Sequence, residues 1–176
     1  MLDTDVAEGK GDVLSVATVD DDFYKWQLLV RVPDDGWVYS KAVLTLVLEF
    51  PRDYPFKPPR TISVTTPDMR HPNFNAQNGQ ACTNCFFGER RDWSPAFTYA
   101  TVVKELLSYF ARDGGPRQCC VLNSSAWTKY QKQRVAFEAH ARAWSTTWAT
   151  ADPMLRAAPH AVRLARCAQL LGTSAN

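Results

Sequence analysis

The stretch that decides how this chain is interpreted is His71–Cys82, with the sequence HPNFNAQNGQAC. Its Asn, Gln and Gly residues leave too few apolar positions for a core strand and are typical of a turn-rich loop. The loop ends in a thiol at Cys82, and Trp93-Ser94-Pro95-Ala96 follows eleven residues later. A cysteine in this position can act as a nucleophile, bind a metal or be a passive surface residue.

Length, composition and charge bound the possible functions. With 176 residues, 45% of them hydrophobic, the chain is long enough to form one domain with a proper core. Its formal net charge of only +2 gives no global electrostatic reason to expect binding to nucleic acid or to a membrane. Residues 1–113 carry 12 Lys/Arg and 16 Asp/Glu, whereas residues 114–176 carry 8 and 2. We interpret the basic end first as a solvated helix face, with an acidic partner as the alternative.

Cysteine usage and the N-terminal sequence indicate a compartment. The acidic N-terminus has no apolar signal-peptide core, and no run approaches the length needed to span a bilayer. The cysteines are odd in number and suggest no disulfide framework, so we expect free thiols in a reducing, cytoplasmic or nuclear compartment. They are Cys82, Cys85, Cys119, Cys120 and Cys167.

The first part of the chain has the pattern of an antiparallel sheet. After a polar arm at residues 1–11, β-rich runs alternate with the turn formers Asp, Pro and Gly, which predicts strands joined by short turns. The predicted strands are residues 13–19, 23–32, 42–50 and 60–66. Between the last two lies Pro51–Pro59, with four prolines in nine residues. Proline fixes φ and lacks an amide hydrogen, so this segment is predicted to be a rigid connection in which Phe56 cannot retreat fully into a core.

The second part of the chain has the pattern of helices. Residues 98–112 place apolar side chains at the 3.6-residue period of an amphipathic helix, and residues 113–116 (DGGP) end it. Residues 124–149 predict one or two further helices, and residues 150–176 form an extension that permits a short one. Strands followed by helices predict an α+β domain over residues 12–149. The predicted apolar faces of the helices in residues 124–149 contain Trp127, Tyr130, Val135, Phe137, Ala141 and Trp144.

Thiol chemistry alone leaves more than one role open for Cys82. A thiolate is the active nucleophile, and acyl transfer also requires a donor that stabilises the oxyanion. Asn73 could be that donor, although its amide could equally tie down its own loop. His71 could pair with Cys82 as a base, but we favour a histidine that holds the turn before Pro72. The Cys82-x-x-Cys85 spacing could contribute to a zinc site, but the adjacent Cys119 and Cys120 are poor partners for one, so no metal is expected.

Five short motifs, taken together in this order, resemble the ubiquitin-conjugating enzymes. The resemblance extends from about Asp12 to Ala149. Each motif is weak alone, but five in order at near-family spacing are specific. They are Tyr54–Pro59 (YPFKPP), His71-Pro72-Asn73, Gly79-x-x-Cys82, Trp93-Ser94-Pro95-Ala96 and Val121-Leu122-Asn123.

The resemblance implies a fold, a reaction and a set of partners. The fold is a four-stranded antiparallel meander flanked by helices. Cys82 would carry ubiquitin or a ubiquitin-like modifier as a thioester, received from an activating enzyme that uses ATP, so no cofactor is expected here. The modifier would pass to a protein substrate lysine or to a RING- or HECT-type ligase. Asn73 corresponds to the family's oxyanion or loop-ordering asparagine, and His71 and Pro72 are structural. Phe56, Pro95 and Ala96 correspond to the ligase-binding loops.

The chain also departs from the family pattern. Residues 1–11 cannot supply a full first helix, where the family meets its activating enzyme. The His71–Cys82 spacing is one residue longer than usual, and Lys104 stands where a leucine often packs on the modifier. Around Cys120 the usual acidic or small polar residue is missing. The alternative function is therefore an inactive variant that binds ubiquitin or a partner, but such variants usually lack the cysteine that this chain retains.

Overall fold

The computed structural model of the protein describes residues 12–82 and 93–150. Within them, four strands form one antiparallel sheet in the order β1-β2-β3-β4. The strands are β1 Val13–Val19, β2 Asp22–Arg31, β3 Val43–Glu49 and β4 Thr61–Val64. The predicted arm at residues 1–11, Cys85, and the extension beyond Thr150 lie outside the described residues.

A two-residue turn joins β1 to β2, whereas residues 32–42 and 50–60 connect the other strands. Val19 pairs with Asp22 across a turn in which Asp20 and Asp21 have φ values of 53° and 57°. Asp adopts this left-handed conformation more readily than most residues, and two such residues in a row match the twist of a two-residue hairpin. The predicted Asp-rich turn is therefore the physical reason that β1 and β2 are adjacent and antiparallel.

Within residues 93–150, three α-helices follow the sheet: α1 Tyr99–Leu107, α2 Ser124–Lys132 and α3 Arg134–Thr150. Single 3₁₀ turns occupy Ser108–Phe110 and Gln118–Cys120. The expected absence of a full first helix concerns residues 1–11, which lie outside the described residues. None of the helices described is long and apolar enough to cross a membrane.

The core lies between the sheet and the faces of α1 and α3. Leu28, Leu44 and Leu46 from the sheet are 0% exposed and belong to one apolar cluster with Leu106 of α1. From α3 the same cluster receives Phe137, Ala141 and Trp144. The predicted α+β fold is confirmed.

One predicted core residue is wrong. Val135 was assigned to an apolar helix face, but its side chain is 85% exposed. Phe137, Ala141 and Trp144 lie four and three residues apart and set the inward face of α3. Val135 is two residues from Phe137, so it lies on the opposite side of the helix.

Candidate functional site

The loop that leads to Cys82 folds back against β4. The Val64 amide donates a hydrogen bond to the Gly79 carbonyl at 3.0 Å, and the Ala81 amide donates one to the Ile62 carbonyl at 2.8 Å. Gly79 has a φ of +67°, and a Cβ there would lie only 1.9 Å from the Val64 carbonyl oxygen. Only glycine fits so close to the strand. The residues just before Cys82 are therefore fixed to the sheet.

The tip of the same loop is closed by asparagine side chains. The Asn75 side-chain oxygen accepts hydrogen bonds from the amides of Gln77 at 2.9 Å and Asn78 at 3.3 Å. The Asn78 side-chain oxygen accepts one from the Gln80 amide at 3.0 Å. These turns explain the Asn-rich composition, because Asn side chains can replace backbone acceptors where no strand partner exists.

The described cysteines differ in exposure and in whether they form a disulfide. Cys82 is half-buried and carries a free thiol, and Cys119 is free and exposed. Cys120 is 3% exposed and disulfide-bonded. The expectation of free thiols is therefore wrong at Cys120, because cysteine spacing alone does not determine pairing. Cys82 combines a free thiol with partial exposure at the end of a fixed loop, as a nucleophile requires.

His71 is enclosed and holds the backbone around it. Its ring is 0% exposed, and its Nδ1 accepts a hydrogen bond from the Asn73 amide at 3.1 Å. This leaves Nε2 as the protonated nitrogen, which donates to the Tyr109 carbonyl at 3.0 Å. Burial lowers the pKa of His71 from 6.5 to about 3, although the bond to Tyr109 opposes that shift. A neutral ring with both nitrogens engaged is a poor general base.

Asn73 joins the loop to the segment before α2. Its side-chain nitrogen donates to the carbonyls of Arg117 at 2.6 Å and Cys120 at 2.8 Å, and its side-chain oxygen accepts from the Arg117 amide at 2.8 Å. The residue is only 1% exposed. Both amide hydrogens are directed at backbone, so in this arrangement neither is left to point at an oxyanion.

A second connection joins the neighbouring Pro72 to the start of α2. The Pro72 carbonyl accepts hydrogen bonds from the amides of Leu122 and Asn123, each at 2.9 Å. The Asn123 side chain then caps α2 by accepting from the Ala126 amide at 3.0 Å. Two motifs that are separate in the sequence are therefore joined by hydrogen bonds in the structure. They are Pro72-Asn73 and Leu122-Asn123.

Arg117 is a site residue that sequence reasoning missed. Its guanidinium bonds Glu105 of α1 at 3.3 Å and Ser108 at 2.8 Å, and lies 4.2 Å from the centre of the Tyr109 ring. Because its backbone also bonds Asn73, it connects α1 to the loop. A lone arginine after a Gly-Gly-Pro turn carries no sequence signal that would have identified this role.

The two loops expected to bind a ligase lie side by side. The Trp93 indole donates a hydrogen bond to the Pro55 carbonyl at 2.6 Å, and the Tyr54 hydroxyl donates one to the Phe97 carbonyl at 3.4 Å. Phe56 next to Pro55 is 76% exposed. Pro95 and Ala96, between Trp93 and Phe97, are also exposed. The structure therefore brings the three predicted residues onto neighbouring loops.

The described residues contain no group of three or more His, Cys, Asp or Glu side chains placed to hold a metal ion. Cys85, which was considered for a zinc site, lies outside them.

The chain was compared with models of known protein families and with solved structures. The family described as ubiquitin-conjugating enzyme matches residues 2–145. The chain belongs to the ubiquitin-conjugating enzyme family. Its structure is also similar to a crystal structure from Plasmodium yoelii of a protein assigned to the ubiquitin conjugating enzymes. The TM-score is 0.67 at 27% sequence identity, over 78% of this chain and 84% of that one.

Membership confirms the resemblance that the five motifs indicated. The four-stranded meander followed by helices is the fold expected for a ubiquitin-conjugating enzyme, and the Plasmodium yoelii structure shares it over most of both chains. The roles of Cys82, Asn73, Phe56, Pro95 and Ala96 remain predictions about this member of the family.

We expect His71 to make the stability of this member of the family fall in acid. Its pKa is about 3 in the folded protein and 6.5 for an unperturbed histidine, as in the unfolded chain. Between these two pH values the unfolded chain binds a proton at His71 that the folded chain does not. The stability is complete above about pH 6.5 and is lost as the pH falls towards 3, by about 1.4 kcal/mol per pH unit. Urea unfolding at pH 7 and at pH 5 measures this loss, which His71→Gln should reduce.

His140→Gln is the control for that measurement. The His140 side chain is exposed, so its removal should leave most of the acid-dependent loss in place. An equal loss in the wild type and in His71→Gln would show that His71 does not cause it.

Proposed function

We propose that the protein accepts ubiquitin or a ubiquitin-like modifier from an activating enzyme as a thioester on Cys82, and then passes it to a substrate lysine or to a ligase. The observation that carries this proposal is the free, half-buried thiol of Cys82 at the end of a loop fixed to the sheet. Family membership supplies the class of reaction. The ATP needed to activate the modifier is used by the activating enzyme.

The proposed reaction consists of two acyl transfers. The Cys82 thiolate attacks the carbonyl carbon of the modifier's thioester on the activating enzyme, a new S–C bond forms, and the activating enzyme's thiolate leaves. A lysine amine or a ligase thiol then attacks the same carbonyl carbon and releases the Cys82 thiolate. The lysine must first lose a proton from an ammonium group with a pKa near 10.4, which desolvation at the site favours.

We assign His71 and Asn73 positioning roles in this reaction. His71 is neutral and buried, and both amide hydrogens of Asn73 bond backbone carbonyls. Together they hold the start of the loop against Tyr109 and the segment at Arg117–Cys120. This arrangement supports loop ordering, the second of the two roles expected of Asn73.

Incubation with an activating enzyme, ATP and a panel of modifiers tests the proposal. A modifier adduct that a thiol reductant removes on a gel is the expected result, and omission of ATP is the control. If no modifier yields an adduct, the proposal fails and the alternative, an inactive variant that binds ubiquitin or a partner, is favoured. The same panel identifies the modifier.

We expect Phe56→Ala to leave thioester loading intact and to slow discharge with a RING-type ligase. Phe56 is 76% exposed, so its truncation removes little buried surface. An exposed aromatic residue on a rigid loop is typical of an interface anchor, whose loss costs about 2 kcal/mol or roughly 30-fold in affinity. Single-turnover discharge with and without ligase measures the effect.

Phe23→Ala is the matched control for Phe56→Ala. Phe23 is another exposed phenylalanine, at 83%, and lies in β2 outside the two ligase-binding loops. It should leave ligase-stimulated discharge unchanged. Loss of loading in Phe56→Ala would show instead that this side chain supports the fold.

A further inference from the structure

A groove of about 680 Å³ lies between the Cys82 loop and helices α2 and α3. Its volume is within the range of small-molecule and peptide sites. One wall is Val64–Arg70, which contains the end of β4 and the segment after it, and another is the loop tip Asn75–Gly79. The remaining walls come from one face each of α2 and α3, with the buried residues Ala126 and Phe137.

Basic side chains from three different elements line this groove. Arg70 follows β4, Lys129 lies on α2 and His140 lies on α3, and all three are exposed. Asp68 is the only carboxylate among the residues that line the groove. Neither Arg70 nor Lys129 forms an ion pair with any residue in the described ranges. The groove therefore presents positive charge that the described part of the chain does not neutralise.

The effect of these charges on His140 shows that they act on a common region. Partial burial lowers the pKa of His140, and the nearby charges of Arg70 and Lys129 lower it further, with Asp68 opposing them. Three elements thus direct cationic or titratable groups towards one space. The positive charges are spread over the groove, and no buried donor creates a single anion-binding point. A ligand with several spaced carboxylates therefore matches them better than a single small anion does.

The uncharged lining also suits a polypeptide. Gln77, Asn78 and Gln133 contribute side-chain amides, which can both donate to and accept from a peptide backbone. Ala126 and Phe137 also line the groove but are only 5% and 4% exposed, so the surface offered to a ligand is mainly polar.

The groove adjoins the loop that carries the proposed nucleophile. Gly79 forms part of its wall and lies three residues before Cys82, a separation of at most about 11 Å between Cα atoms. We propose that this groove binds an acidic segment, rich in Asp and Glu, of the polypeptide that accepts the modifier. The role of that polypeptide as acceptor rests on the proposed function, whereas the binding of an acidic segment does not.

Binding is tested without an activating enzyme, so that its failure and the failure of thioester loading are separate results. A fluorescein-labelled peptide of alternating Glu and Gly is titrated with the full chain, and anisotropy is recorded at low and at high ionic strength. The acidic peptide should bind at low ionic strength, and its affinity should fall at high ionic strength because salt screens the charges. A Lys-Gly peptide should not bind. The Arg70→Ala/Lys129→Ala variant should bind about tenfold more weakly.

Arg31→Ala/Lys132→Ala removes the same two residue types from exposed positions that do not line the groove. It should bind the acidic peptide as the wild type does. If both double variants bind the acidic peptide equally weakly, the attraction is non-specific and the proposal is overturned. It is also overturned if inorganic phosphate displaces the labelled peptide as well as unlabelled acidic peptide does at matched ionic strength.

The acceptor role has its own measurement. Given a loaded enzyme, an acidic peptide that contains one lysine should discharge the thioester faster than a neutral peptide with the same lysine. Arg70→Ala/Lys129→Ala should lose this difference and keep its loading. If the acidic peptide binds but discharges no faster, the groove is not an acceptor site.

Discussion

Cys82→Ala is expected to abolish the reductant-sensitive adduct with the modifier completely. The methyl group of alanine has no lone pair with which to attack a thioester, and among the described residues Cys82 is the free thiol at the end of the loop fixed to β4. Cys82 is half-buried, and its replacement by a smaller apolar residue should change stability little. Thermal unfolding of the variant, measured beside the loading assay, separates loss of the nucleophile from loss of the fold.

Two cysteine variants make this prediction specific. Cys119→Ala removes the other free thiol among the described residues, and Cys85→Ala replaces the cysteine three residues further along the chain. Both should still form the adduct. If the adduct survives in Cys82→Ala and disappears in either of the others, the nucleophile has been assigned to the wrong cysteine.

Asn73→Ala is expected to lower the free energy of unfolding by about 3 kcal/mol. The change removes three hydrogen bonds of 2.6–2.8 Å, one accepted from the Arg117 amide and two donated to the carbonyls of Arg117 and Cys120. The residue is 1% exposed, so water cannot readily replace the lost amide. Chemical denaturation of the wild type and the variant measures the difference.

The same variant distinguishes the two roles that were open for Asn73. If it mainly ordered the loop, stability and loading would both decline. If it stabilised the oxyanion, discharge would slow by about 10²–10³-fold at unchanged stability. Asn78→Ala is the matched control, because Asn78 is an exposed loop asparagine whose side-chain oxygen accepts a hydrogen bond from the Gln80 amide at 3.0 Å. It should cost less than 1 kcal/mol.

Much of the fold could be predicted because local patterns and the final structure agree. The strand predictions match the observed ranges to within two residues, and the helix over residues 98–112 appears as α1 followed by a 3₁₀ turn. The error at Val135 has a clear physical cause. The buried face of a helix is set by the elements that pack against it. A single valine two residues from Phe137 does not show on which side of the helix those elements lie.

Within the site, the sequence identified residues but not their partners. Asn73 was identified by its position after His71-Pro72, but the choice between ordering the loop and stabilising an oxyanion depends on Arg117 and Cys120, more than 40 residues away. Arg117 itself was missed for the same reason. The groove beside the loop was also not predictable, because Arg70, Lys129 and His140 come from elements that only the fold brings together.

The sequence by itself determined the strand-then-helix order, the loop that ends at Cys82 and, through its five motifs, the family. These features depend on side-chain periodicity, on turn chemistry and on residues close together in the chain. Tertiary structure decided the neutral state of His71, the backbone partners of Asn73 and the contact between the two loops predicted to bind a ligase. Burial and hydrogen bonding between distant segments set those properties, and neither is encoded at any single position.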